Sequence, residues 1–150
     1  MKEKLVATVV LYLTNKQGAE KVIENINSYA PFLEKIYIVD NSAFDNSNIA
    51  EKVLNSVYIP NLKNLGIAAA LNKGCESAVK DGYEWILTMD QDSSFKSDEL
   101  SNFLYLCEKH YIENQNIKSF APEQNDSGKN IIAISKWIRF NILSPIKRKI

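Results

Sequence analysis

Histidine occurs once in the 150 residues and cysteine twice, with no C-x-x-C or C-x-x-H spacing. Thiolate and imidazole metal centres therefore lack raw material. Cys75 and Cys107 both fall at apolar positions of predicted helices, as unpaired core thiols do in a reducing compartment. No stretch approaches the roughly 18 apolar residues that a membrane-spanning helix needs. The N-terminus MKEKLVATVVLYLTNKQG pairs a charged start with an apolar run, but no A-x-A-like cleavage site follows, so it is not read as a leader. A cytoplasmic location is the expectation. Net charge is absent too: 18 cationic residues cancel 18 anionic ones, which removes any global case for a nucleic-acid partner. Two phosphate-binding signatures are missing. No G-x-G-x-x-G follows the first apolar run and no G-x-x-x-x-G-K-[ST] occurs, which excludes a dinucleotide-binding turn and a P-loop. A phosphate-receiver domain would need acids after its first and third strands, where this chain has Leu13-Thr14-Asn15 and Pro60-Asn61.

What is present is an alternation of apolar runs and amphipathic stripes, within the size of one domain. Residues 4–13, KLVATVVLYL, form a near-continuous apolar run of the kind buried on both faces of a parallel sheet. Ala19, Val22, Ile23 and Ile26 follow with helical spacing, ending near Pro31. Strands are predicted at 35–40, 56–60, 84–89 and 117–122, and a short helix at 45–55. Longer helices are predicted over 66–81 and from Ser97 or Asp98, with Leu100, Phe103, Leu104, Cys107 and Tyr111 as the stripe. This order predicts a doubly wound, mostly parallel α/β sheet. Beyond Pro122 the pattern decays into a polar loop and a segment with neither period.

In such sheets ligands sit beyond the carboxyl ends of the strands. Asp40 ends the second strand in YIVDNS, and Asp90 and Asp92 end the fourth in WILTMDQDSSF. Aspartates after a strand serve turns as well as ligands. At i and i+2, two carboxylates can also share one cation. Between them lies NLGIAAALNKG (64–74), with Asn64, Gly66, Ala68, Ala70, Asn72 and Gly74 at every second position. Such a helix lets a backbone or a flat ligand approach closely, and its N-terminus favours an anion. A tightly packed helix explains the same pattern. Gly74 inside the helix costs about 1 kcal/mol against alanine and calls for one reason or the other.

IVDNS, NLGIAAALNKG and LTMDQDSSF, in this order and spacing, resemble the nucleotide-sugar-binding half of the family 2 glycosyltransferases, which have the GT-A fold. The closest flavour is the rhamnosyltransferase-like branch of bacterial polysaccharide assembly, and the resemblance covers roughly residues 5–122. It implies that Leu11 and Tyr12 flank the nucleobase, although Leu13 stands where the family often has asparagine. It implies that Asp40 bonds the base, that Asn64 and Gly66 line the nucleotide pocket and that Asn72 braces the loop. Asp90-Gln91-Asp92 matches the D-x-D motif: Asp90 and Gln91 would face the nucleotide, and Asp92, with Asp90, would ligate Mg²⁺ or Mn²⁺. The expected reaction is inverting, metal-dependent transfer from a UDP- or dTDP-sugar to a polysaccharide or lipid-linked acceptor.

Inversion also needs a general base, which the family takes from its second half. Glu123 and Asp126 are the only acids after Pro122, and neither matches that motif. The chain is therefore read as the donor half, residues 1–122, followed by a loop and basic tail over 123–150, as if truncated. No catalytic residue is assigned, and a non-catalytic or partner-dependent nucleotide-sugar-binding module is the alternative. Residues 136–150 carry five cations and no acid among apolar side chains. Peripheral contact with the inner membrane face, or self-association through the apolar surface, are the expectations for that tail.

Overall fold

The computed structural model describes residues 5–15, 17–96, 98–120 and 133–136. The expected loop and the rest of the basic tail (137–150), on which the expectations of membrane contact and self-association fall, lie outside them, as does Ser97. The elements are β1 (Leu5–Leu11), α1 (Ala19–Asn27), a 3-10 turn (Ala30–Phe32), β2 (Lys35–Asp40), α2 (Ser47–Ala50) and β3 (Ser56–Pro60), then α3 (Ile67–Lys80), β4 (Trp85–Asp90), α4 (Glu99–Glu113), β5 (Ser119–Phe120) and β6 (Ala133–Lys136). They form one sheet in the order β3-β2-β1-β4-β6-β5. The first four strands of that order run parallel. β6 pairs antiparallel with β4 and with β5. The result is the expected α/β, Rossmann-like GT-A architecture. β6 is the strand that the sequence reading missed. A four-residue strand carries too little alternation to register, and here it is recruited by pairing with β4.

Every residue of β1 is buried, because both of its faces are covered. Leu5, Ala7, Val9 and Leu11 pack with Val22 and Ile26 of α1 and Leu100, Leu104 and Cys107 of α4. The alternate residues meet α3 instead, Val6 with Cys75 and Ala78 and Val10 with Ala70. This is period-two alternation with a partner on each side. β2 divides in the same way, Ile36 and Ile38 to one side and Tyr37 and Val39 to the other.

Gly74 faces the sheet at the closest point of α3. A Cβ there would collide with Thr8 Cγ2 and sit 2.9 Å from Thr8 Oγ1 and 3.0 Å from Val39 Cγ2. The second half of the small-residue motif is thus packing, with Ala70, Gly74, Cys75 and Ala78 buried. The first half is different: residues 62–69 are all exposed, at the carboxyl rim of the sheet.

Candidate functional site

Parallel register brings the strand ends together. Leu11 lies opposite Asp40, Asp40 opposite Pro60, and Val10 opposite Asp90. Asp40, the 61–66 loop, the loop after β1 and the Asp90-Gln91-Asp92 turn therefore share one rim. The sequence could propose this convergence only through the fold.

At the first position, Leu11 is fully buried and Tyr12 is 45% exposed. Leu13, the departure from the family pattern, turns back into the core, and its N–H donates to Ser42 Oγ at 2.9 Å. Of the three, Tyr12 alone presents its side chain at the rim.

Asp40 is 1% exposed, and both of its carboxylate oxygens accept hydrogen bonds. One oxygen accepts the Ser42 N–H at 2.8 Å. The other accepts Asn46 Nδ2 at 2.9 Å and the Tyr58 hydroxyl at 2.6 Å. Burial and the Asp40 carboxylate push the Tyr58 phenol well above its ordinary value and keep it a donor. A buried carboxylate with three donors organises the loop that follows it. Asn46 and Tyr58 were invisible as partners in the sequence, since one lies in a polar loop and the other in an apolar strand.

Asn64 accepts the Gly66 N–H at 2.8 Å, a two-residue side-chain turn. Gly66 adopts φ 82° and ψ 155° just before α3, a conformation that glycine alone takes readily. The Gly66 carbonyl accepts Asn41 Nδ2 at 3.1 Å, and Asn61 donates to Asn41 Oδ1 at 2.8 Å. Lys73 Nζ reaches Asn61 Oδ1 at 2.5 Å. Asn72 itself is exposed. Asn41, Asn61 and Asn64 supply side-chain hydrogen bonds that brace this loop.

Asp90 is half-buried and Asp92 exposed. Among the described residues no hydrogen bond reaches either carboxylate. Burial raises the Asp90 pKa above its ordinary value, and the charge of Asp92 raises it further. Nearby, Tyr29 is fully buried, and its hydroxyl is the one buried side-chain polar atom without a partner among the described residues. Burial, then the charge of Asp90, raises its pKa. The donor set is two carboxylates with hard oxygen donors, with no cluster of three or more His, Cys, Asp or Glu among the described residues. That set fits Mg²⁺ or Mn²⁺, which accept one or two carboxylates and take their remaining ligands from phosphate and water.

Gln91 does not project freely into the rim. Its side-chain amide pairs with the backbone of Tyr12, and its carbonyl accepts Asn25 Nδ2 at 3.2 Å. Asn25 is 6% exposed. The signal for it was a lone amide inside the apolar stripe of α1, and the sequence reading passed over it.

The family model described as Glycosyl transferase family 2 matches residues 8–147. The chain belongs to that family. Solved structures share its fold. S. aureus TarS, residues 1–349, superposes with a TM-score of 0.56 at 24% identity, covering 72% of this chain and 33% of that one. The mannosyltransferase PcManGT from Pyrobaculum calidifontis, in complex with GDP-Man and Mn²⁺, gives 0.62 at 15% identity, covering 89% and 44%. A cytidylyltransferase from Leptospira borgpetersenii gives 0.56 at 14% identity, covering 89% and 60%. Each likeness shows the fold, and the chain spans less than two thirds of the length of each of these structures. Comparison with curated proteins finds no match. No helix among the described residues is long and apolar enough to cross a membrane.

Proposed function

We propose that this chain provides the nucleotide-sugar donor site of a metal-dependent glycosyltransferase of the rhamnosyltransferase-like branch. The donor is a UDP- or dTDP-sugar and the acceptor a polysaccharide or lipid-linked glycan, with inversion at the transferred carbon. The observation that carries this reading is the Asp90–Asp92 pair: two carboxylates at the strand-end rim, without hydrogen bonds among the described residues, one raising the pKa of the other. Such a pair is an electrostatic cost to the empty protein, and a divalent cation removes it.

The residues divide the work accordingly. Tyr12, exposed at the rim, offers a ring face to the base. Asp40 shapes the base side of the pocket through Ser42, Asn46 and Tyr58 rather than by standing in the open. Asn64 and Gly66 present the turn leading into α3, whose first N–H groups face the rim and favour anionic oxygens. Asp90 and Asp92 hold Mg²⁺ or Mn²⁺. That cation supplies Lewis-acid neutralisation of the departing diphosphate. The neighbour solved with GDP-Man and Mn²⁺ supports the assignment of ligand class and metal.

Deprotonating the acceptor hydroxyl needs a further carboxylate, and Asp40, the other strand-end acid at the described rim, is buried and held by Ser42, Asn46 and Tyr58. This favours a second reading, a donor-binding module that acts with a partner chain. Turnover separates the two. With Mn²⁺ and a panel of UDP- and dTDP-sugars, slow donor hydrolysis or transfer is expected of the enzyme. Binding of UDP without turnover selects the module, and absence of nucleotide binding contradicts both.

A further inference from the structure

Three seams separate the four parallel strands at the rim, and two of them close with main chain. The Asn41 N–H donates to the Leu11 carbonyl at 2.7 Å, and the Asn61 N–H donates to the Asp40 carbonyl at 2.8 Å. The β1–β4 seam closes differently. Its pairing stops at Val10 and Asp90, and the chain then turns through Gln91 and Asp92. There the Tyr12 N–H donates to Gln91 Oε1 at 2.7 Å, and Gln91 Nε2 donates to the Tyr12 carbonyl at 3.1 Å. A primary amide carries the same donor and acceptor as a peptide group. Gln91 therefore supplies the next ladder step with its side chain while its backbone is free to turn. Asn25 of α1 holds the Gln91 carbonyl from the other side.

We infer that Gln91 is a positioning residue that fixes the Tyr12 segment against the Asp90–Asp92 turn, so that nucleobase and cation are gripped at a set separation. The inference rests on the donor-site reading above and deepens it. One Gln91 oxygen and one N–H are spent on Tyr12, and its backbone carbonyl is spent on Asn25, so the residue acts through its neighbours. A nucleoside diphosphate with its cation touches both sides of this seam. When the sides are locked together, the second contact is made at high effective concentration; when they move independently, that advantage is lost. Glutamate at this position would turn a carboxylate oxygen toward the Tyr12 carbonyl and add a third negative charge beside the metal pair. Asparagine would fall one methylene short.

The test measures how strongly Mn²⁺ enhances UDP binding. Calorimetry of the full chain gives UDP affinity with and without Mn²⁺ for the wild type, Gln91→Ala, Gln91→Glu and Tyr105→Ala, the last an exposed residue of α4. In both Gln91 variants the enhancement is expected to fall about fivefold or more, and in Tyr105→Ala to be retained. Hydrogen exchange reports on the clip without any ligand: the Tyr12 amide exchanges faster in Gln91→Ala than in the wild type. A thermal melt checks that each variant is folded, and Gln91→Glu carries the test if Gln91→Ala is not. Wild-type enhancement in a folded Gln91 variant, or unchanged Tyr12 exchange in Gln91→Ala, overturns the inference. A wild type that binds UDP no more tightly with Mn²⁺ overturns the donor-site reading itself, and is told apart because the failure then lies in the unmutated chain.

Discussion

Gly66 and Gly74 both belong to one sequence motif, yet they are glycine for unrelated reasons. At Gly66 nothing lies within 4 Å of an added Cβ, and the requirement is the φ of +82°. At Gly74 the backbone is helical, and the requirement is space against Thr8 and Val39. Both neighbours are β-branched, stiff at χ1 and fully buried, so they yield poorly. Gly74→Ala is therefore expected to lose about 1–3 kcal/mol by overpacking, against a gain in helix propensity of about 1 kcal/mol. A denaturant titration should show a lower midpoint, and Thr8→Ala introduced into the same chain should restore part of it. Spacing alone left the choice between ligand approach and helix packing open at Gly74, because the deciding atoms, those of Thr8 and Val39, belong to two strands distant in sequence. Asp40 makes the same point. Its place at a strand end was legible, but its burial beneath Asn46 and Tyr58 was not, since no local pattern encodes three donors arriving from two different elements.

Among the elements, the four parallel strands and the two longer helices of the sequence reading recur in the structure with boundaries shifted by a residue or two. Their apolar runs and stripes are long enough to be unambiguous. β5 shows only two described residues and β6 was missed, because short strands near the antiparallel edge depend on tertiary pairing rather than on pattern. The opposite rim of the sheet holds a cluster that the motifs did not mention. Asp81, just after α3, accepts Lys35 Nζ at 2.7 Å and the Tyr37 hydroxyl at 2.6 Å. Those hydrogen bonds hold the Asp81 carboxyl below its ordinary 3.8, the Lys35 contact first. A carboxyl with a depressed folded-state pKa stabilises the protein above its unfolded value and loses that contribution as pH falls through the folded value. Asp81→Asn should therefore melt at a lower temperature than the wild type across the neutral range. The gap should close as the pH falls below 3.8. Because Asp81 is exposed, the effect is that of a surface ion pair and should shrink in high salt. A gap that persists unchanged at acid pH would mean that Asp81 acts through its shape rather than its charge.

At the scale of the whole molecule, the sheet does one thing for function: it brings residues 12, 40, 64–66 and 90–92 to a single edge. Their order along the chain was legible as a family resemblance, and the family match over residues 8–147 agrees with it. How they cooperate was not legible, because it depends on which groups are already spent inside the protein. The side chains of Asp40 and Gln91 are held by protein partners, whereas no hydrogen bond among the described residues reaches the carboxylates of Asp90 and Asp92. In the proposed function the carboxylate pair is thus the feature that holds the ligand's cation. The most direct measurement is calorimetric titration of UDP into the full chain with Mn²⁺, beside the same titration with Asp92→Asn. Binding that requires Mn²⁺ in the wild type and falls about tenfold or more in Asp92→Asn, about 1.4 kcal/mol, is the expected result. Binding that is indifferent to Mn²⁺ and to Asp92→Asn, or no binding at all, would contradict the account.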